Sequence, residues 1–155
     1  MHGEDDGLCI YELSELLNWP IVSDICGGLR LDSTRHGVLH HADVMFYSSS
    51  FQEHFKLDSV LQFGERIVSQ RVKSWIRKGS DSSEEFVHVV LTGSSKRIDE
   101  HFTVTHRIEG NISRMWHMLK TWERAHEVGE NDVTRRTNGA TEGIGGKGWL
   151  SLIHI

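Results

Sequence analysis

DSVLQFGERIVSQRVKSWI, residues Asp58 to Ile76, is the stretch whose reading decides the fold. Val60, Leu61 and Phe63 form a short, mostly apolar strand, and Gly64 ends it. Ser69 then offers a hydroxyl to start a helix, and Val72, Trp75 and Ile76 recur at the spacing of one helical face. Gln70 and Arg71 therefore fall in the helix's first turn. In an open parallel sheet that turn lies at the carboxyl ends of the strands, where ligands collect. Free backbone N–H groups, the positive end of the helix dipole and the Arg71 guanidinium would converge there, a combination suited to a carboxylate or phosphate. The plain alternative is a strand–helix turn with a solvated arginine.

The same alternation extends to either side. Asp5 to Asn18 reads as a helix with Leu8, Leu13, Leu16 and Leu17 as its buried stripe, stopped by Trp19-Pro20. Ile21, Val22 and Ile25 make a short strand before the Gly27-Gly28 turn, and Leu29 to Leu39 is irregular. Ala42 to Phe55 reads as one helix offering Val44, Met45, Phe51 and Phe55 to the core. Phe86 to Leu91 is a second buried strand, Phe102 to Ile108 a third, and Asn111 to His126 a helix carrying Ile112, Met115, Trp116, Leu119 and Trp122. Apolar strands that look covered on both faces, alternating with helices, predict a Rossmann-like, doubly wound α/β domain with a mostly parallel sheet. Such a domain ordinarily opens on a strand. This chain opens in a polar loop before a helix, so the expectation is a sheet lacking its first strand, with Met1 an internal position of a longer protein.

The totals exclude several classes. A chain of 155 residues is one domain's worth of material, and 37% hydrophobic with 25% charged residues is ordinary for a globular protein. A formal charge of −5, with Arg and Lys dispersed, gives no footprint for nucleic acid. No apolar run approaches the roughly 18 residues that a membrane span needs. Cys9 and Cys26 are too few for a disulfide framework or a zinc site, and fit a reducing compartment. The eleven histidines include His36, His40 and His41 at close spacing but no HExxH and no third ligand at a telling distance. GIGGKG, from Gly143 to Gly148, lacks the Ser or Thr that a phosphate loop carries after its lysine. No nucleophile, base and orienting group assemble anywhere in the sequence.

Gly129 to Gly148 is rich in Gly, Asn, Thr and charge without apolar period and reads as a linker. The last six residues, LSLIHI, match the translation of the constant end of a transposon-based sequencing adaptor, which would make them a tail outside the fold. The expected division is thus a domain over residues 1–127, a linker over 128–149 and an adaptor-encoded tail over 150–155. A bare sheet edge and low solubility are expected of such a truncated sheet.

Three segments in order make the reading more specific. NWPIVSDICGGLRL (Asn18–Leu31), DSVLQFGERIVSQRV (Asp58–Val72) and KRIDEHFTVTHRIEGNI (Lys96–Ile112) resemble the middle domain of the MenD family, the 2-succinyl-5-enolpyruvyl-6-hydroxy-3-cyclohexene-1-carboxylate synthases. The matching residues are Trp19-Pro20, Asp24, Gly28-Leu29-Arg30, Gln62, Gly64, Ser69, Arg71, Arg97, Asp99, His106-Arg107 and Asn111. The likeness covers roughly Asp5 to Arg124 and looks somewhat closer to the phylloquinone-pathway form of oxygenic phototrophs.

The resemblance implies an enzyme of three α/β domains, using thiamine diphosphate and Mg2+ (or Mn2+), that decarboxylates 2-oxoglutarate and adds the succinyl unit to isochorismate in menaquinone or phylloquinone biosynthesis. It implies a homo-oligomer, dimer or tetramer, when full length. The location it implies is cytoplasmic in a bacterium and plastid in a photosynthetic eukaryote. It places the family's Lys-Arg pair on Gln70 and Arg71, so Ser69, Gln70 and Arg71 are the expected ligands of a carboxylate substrate. Gln70, where the family has lysine, can donate a hydrogen bond but brings no charge to it. Arg30, Arg97, Asp99 and Arg107 are expected in structural or interdomain roles. The activating glutamate and the metal-binding motif of the family have no counterpart here. No catalytic, cofactor or metal residue is therefore expected in this stretch, which would be inert alone and depend on the other domains of the same enzyme. Two rivals remain: the middle domain of another thiamine-diphosphate enzyme, and a stand-alone α/β binding module.

Overall fold

The computed structural model describes residues 3–25, 27–31, 37–121 and 149–154. In chain order the elements are helix α1 (Gly3–Leu17), strand β1 (Ile21–Val22), a 3-10 turn (Gly28–Leu31), α2 (Ala42–Met45), α3 (Ser49–His54), β2 (Lys56–Phe63), α4 (Gln70–Ser82), β3 (Val87–Thr92) and β4 (His106–Glu109). A helix over 112–121, here α5, follows, and the last strand, β5, spans Trp149–His154.

The five strands form one sheet in the order β1-β5-β2-β3-β4, every pair parallel. Val38 adds a parallel bridge to Ile21 on the outer side of β1. Helices cover both faces. On one face Ile10, Tyr11 and Leu13 of α1 and Trp116 of α5 pack with Ile21, Phe63 and Leu91. On the other, Val72, Trp75 and Ile76 of α4 pack with Phe46, Val22, Val60 and Phe86. Phe46 and Trp75 stack at 4.6 Å between ring centroids. The expected doubly wound α/β class is what the chain adopts.

Local chemistry explains the boundaries. Asn18 takes a left-handed φ of 53° after α1, with Trp19 N–H donating to Ser14 O (3.0 Å) and Asn18 N–H to Glu15 O (3.3 Å). That pair of bonds satisfies two of the helix's last four carbonyls, and Pro20 prevents its continuation. Gly64 ends β2 at φ 95°, a conformation costly for any side chain, and its N–H donates to Leu91 O at 2.9 Å. Ser69 caps α4, its hydroxyl accepting from Val72 N–H at 3.3 Å.

Three sequence expectations need correction. The buried face of α1 is Ile10, Tyr11, Leu13 and Ser14, whereas Leu8, Leu16 and Leu17 are exposed. The helix expected over Ala42 to Phe55 is two short helices broken at Phe46–Ser48, so Phe46 is buried and Val44 is 71% exposed. The strand expected over Ile21 to Ile25 is only two residues long, and Ile25 is exposed. Residues 150–154, part of the stretch expected to be an adaptor-encoded tail, lie with Trp149 in a strand in the middle of the sheet. β5 pairs with both β1 (Ile21↔Ile153) and β2 (Leu61↔Ile153), so neither of those strands is a bare edge at that side. Trp122, the expected linker over residues 128–148 and the side chain of Arg30 lie outside the described residues.

Candidate functional site

Parallel strands bring all their carboxyl ends to one edge, and the direction of chain travel reverses between β1 and β2. After β1 the chain steps outward to Val38, then returns to β2 and continues through β3 to β4. Such a switch point leaves a crevice outside the strand ends. The loop 64–69 carries the chain from β2 into α4 at this place, so Ser69, Gln70 and Arg71 stand at the crevice.

Asp24 locks the arrangement. It is buried just past β1, where one carboxylate oxygen accepts from Ile25 N–H (2.6 Å) and the other from Val68 N–H (2.5 Å) and Ser69 N–H (3.2 Å). A negative charge at the start of α4 is favoured by the helix dipole and by the N–H groups it satisfies. The Ser69 hydroxyl, besides capping α4, donates to the Asp43 carboxylate of α2. Ser69 is therefore a structural cap, with its hydroxyl spent inside the domain. Gln70 and Arg71 are exposed, and their N–H groups lie in the first turn, outside the helix's own ladder.

The Arg71 guanidinium lies over the ring of Tyr47, 5.4 Å from its centroid, and makes no ion pair with another described residue. Tyr47 is itself 78% exposed, so the pair stands at the surface. Beside it a cleft of about 60 Å³ is lined by Ser23, Asp24, His40, His41, Asp43 and Ser69. Sequence reasoning names Ser69, Gln70 and Arg71 but not Tyr47 or Asp43, which come from a segment more than twenty residues earlier.

The other expected residues lie elsewhere. Arg107, at the start of β4, donates through one terminal nitrogen to Ser94 O and Lys96 O, both at 2.5 Å, and its Nε is 3.9 Å from Glu109. Asp99 accepts from Thr103 N–H (3.1 Å) and Val104 N–H (3.0 Å). Both fasten the 93–105 connection. Arg97 is exposed on the same connection. Behind it His88, Gln62 and Thr103 form a buried polar chain. The Gln62 amide nitrogen donates to Gly64 O (3.3 Å), which turns its oxygen toward His88 Nε2 (3.2 Å). His88 therefore donates from Nε2 and accepts at Nδ1 from the Thr103 hydroxyl (3.1 Å). The chain is internally satisfied.

Among the described residues no three of His, Cys, Asp and Glu lie together in a way that could hold a metal ion. No described helix is long and apolar enough to cross a membrane. The first turn of α4, beside that cleft rather than in it, thus offers exposed backbone N–H groups and one guanidinium without an ion-pair partner among the described residues, which is binding chemistry for an acid group.

Residues 1–135 match the family described as the middle domain of thiamine pyrophosphate. The chain is a thiamine pyrophosphate-enzyme middle domain. The curated relatives of this middle domain include the Arabidopsis thaliana protein PHYLLO, chloroplastic, 30% identical over 120 residues, 72% of this chain and 7% of that protein. Two others are 2-succinyl-5-enolpyruvyl-6-hydroxy-3-cyclohexene-1-carboxylate synthases. The one from Chlorobium limicola is 28% identical over 72% of this chain and 18% of its own length. The one from Salinibacter ruber is 31% identical over 64% and 16%. The middle domain therefore spans between 7% and 18% of the length of these relatives. The resemblance carried by the three sequence segments is to this same synthase family.

Proposed function

We propose that this middle domain supplies the acid-binding arginine of a thiamine-diphosphate-dependent synthase that decarboxylates 2-oxoglutarate and adds the succinyl unit to isochorismate. The observation that carries the reading is Arg71, exposed in the first turn of α4 at the switch point and without an ion-pair partner among the described residues. A planar guanidinium there can take a substrate carboxylate through two parallel N–H···O bonds. Gln70 can add a neutral hydrogen bond but no charge. The names and the family match of the relatives support the coarser part of this reading, a synthase built around thiamine diphosphate.

The described residues offer no metal cluster and no Gly-rich cradle at a helix start, so they do not fit the diphosphate or its divalent ion. The cofactor belongs, in this proposal, to other domains of the same polypeptide, and so do the catalytic residues. The domain's share is to orient the acceptor and hold its charge. In a full-length synthase carrying this domain, Arg71→Ala raises KM for the carboxylate acceptor about 30- to 150-fold, as removal of a charge-assisted hydrogen bond of about 2–3 kcal/mol requires. Arg71→Lys restores part of it. Gln70→Lys lowers KM. The chain alone, titrated with thiamine diphosphate and Mg2+ in a calorimeter and assayed for carbon dioxide release from 2-oxoglutarate, gives no signal. Turnover by the isolated chain, or an Arg71→Ala synthase with unchanged KM, refutes the proposal.

A further inference from the structure

β4 closes the sheet on the side away from β1. β3 pairs with it on one side, and among the described residues nothing pairs with it on the other. Gly110 N–H donates to Thr92 O at 2.9 Å, toward β3. Backbone groups alternate in direction along a strand, so Ile108 also turns its N–H and C=O to β3. Those of Arg107 and Glu109 face outward. An edge of this kind is a template for another strand.

The two faces of this edge differ in chemistry. Ile108 is the register partner of Leu91, which packs with α1 and α5, so Ile108 lies on the α5 face, where it is 44% exposed. α5 turns Ser113, Trp116 and Lys120 toward α1, where they bond to Asp6 and Glu12. Met115 and Met118 therefore stand on the opposite flank of α5, beside the open edge, and Met118 is exposed. Arg107 and Glu109, two residues apart, share the other face. There the Arg107 Nε is buried without a hydrogen-bond partner, 3.9 Å from Glu109 of its own strand.

We propose that the outer edge of β4 is a docking surface for a second copy of this chain, whose own β4 adds antiparallel about a two-fold axis through Ile108 and joins the two sheets into one. Antiparallel pairing sets outward-facing residues opposite outward-facing residues. Arg107 can therefore meet Arg107, Glu109 can meet Glu109, or each Arg107 can meet Glu109 of the second copy. The first two registers place like charges in direct opposition, which destabilises a strand pair. The third makes two opposite-charge pairs, each exchanging two backbone hydrogen bonds. It also brings a second carboxylate to the face that holds the unsatisfied Arg107 Nε. On the α5 face the same register lays Ile108 against Ile108, with Met115 and Met118 of each copy continuing the apolar contact. Self-complementary charge on one face and an apolar centre on the other select a second copy over an unrelated strand. The edge is at the other end of the sheet from β1, so it stands apart from the function proposed above.

Sedimentation equilibrium and thiol trapping of the full chain test it. The parent chain shows a monomer–dimer equilibrium that shifts with concentration. Glu109→Lys sets like charges opposite one another and raises the dissociation constant at least 10-fold. Glu109→Pro removes an N–H that faces outward and serves no bond within its own sheet, so the variant melts within a few degrees of the parent but stays monomeric. The Glu109 side chain is 58% exposed, so Glu109→Lys keeps its fold and decides the matter should the proline variant unfold. In a Cys9→Ala, Cys26→Ala background, Ile108→Cys forms an interchain disulfide on mild oxidation, read by mass. Directly opposed residues of that kind have Cα atoms about 4.5 Å apart, within reach of a disulfide. Glu109→Cys in the same background cross-links at least 10-fold less. A parent chain that remains monomeric up to about 1 mM, where even weak contacts assemble, overturns the proposal. So does a dimer that Glu109→Lys leaves intact, or one in which position 109 cross-links as readily as position 108.

Discussion

Gly79→Ala sets two physical effects against each other, and the structure decides the sign. Gly79 lies inside α4, where replacing glycine with alanine ordinarily gains about 1 kcal/mol of helix stability. Its Cα, however, faces β2. A Cβ built there meets Leu57 O at 2.9 Å, Leu57 Cβ at 3.1 Å and Phe86 Cε2 at 3.1 Å. The first of these is backbone at the start of a sheet strand, paired to its neighbour, and cannot turn aside as a side chain would. Inserting a methyl into a filled contact costs about 1–3 kcal/mol, to which the propensity gain must be added back. The net expectation is a loss of up to about 2 kcal/mol, a fall in Tm of up to roughly 8 °C for a chain of this size. Thermal unfolding followed by tryptophan fluorescence and by circular dichroism measures it. Ser74→Ala, on an exposed position of the same helix, is the control and leaves Tm unchanged or slightly higher. A Gly79→Ala chain that melts above the parent would show that α4 does not sit against β2 as described.

Other perturbations read other parts of the structure. Asp24→Ala removes the acceptor of three backbone N–H groups and the tie between β1 and α4, at a cost of about 3 kcal/mol in urea unfolding, with Asp24→Asn intermediate. Thr103→Val leaves His88 Nδ1 without its donor and costs about 1–2 kcal/mol, a loss that shrinks when His88 is first changed to Phe. The Glu100 carboxyl is held below its usual range by the hydrogen bond and then the charge of Lys73. The stability difference between the parent and Lys73→Met is therefore full above the ordinary glutamate range and fades as pH falls through the lowered folded value. A difference that grows in acid would contradict the pair. The Cys9 thiol is pushed above its ordinary value, first by burial, so in a Cys26→Ala chain it reacts with disulfide reagents at pH 8 more slowly than free cysteine, until urea exposes it.

Legibility in the sequence follows the range of the interaction. The turn from period two to period 3.6 at Gly64, the cap at Ser69 and the face of Val72, Trp75 and Ile76 depend on residues a few positions apart, and the structure reproduces them. α1 misleads because its buried row contains Gly7 and Ser14. Gly7 lies 3.1 Å from Leu29 Cδ2 at the position of its absent Cβ, and Ser14 donates to Trp19 O at 2.6 Å. Neither looks apolar in sequence, so four leucines suggest the wrong stripe. The break at Phe46–Ser48 rotates the following residues and exchanges Val44 for Phe46 in the core. At the candidate site, Gln70 and Arg71 can be placed from local pattern alone. The carboxylate that orients their helix cannot, because Asp24 reaches across 45 residues to Ser69. Tyr47 carries no local signal at all. The place of Trp149–His154 in the sheet is likewise a product of chain topology, beyond any window of sequence.

Those long-range contacts change how the site binds. On sequence alone, the start of α4 is an anion site made by a helix dipole, free N–H groups, a hydroxyl and a guanidinium acting together. In the structure most of that set is already engaged. Asp24 takes the Val68 and Ser69 N–H groups, Ser69 takes the Val72 N–H, and the hydroxyl is turned to Asp43. Two carboxylates thus stand at the positive end of the helix and offset its field before any ligand arrives. What remains to an incoming acid is the Arg71 guanidinium, the Gln70 amide and two backbone N–H groups. Binding at this edge therefore depends on one side chain far more than on the helix. Arg71→Ala should nearly abolish the domain's contribution, whereas Ser69→Ala should reduce stability through removal of the cap and leave acceptor affinity almost unchanged. Equal losses of affinity from the two substitutions would mean that the helix start, and not the arginine, does the binding.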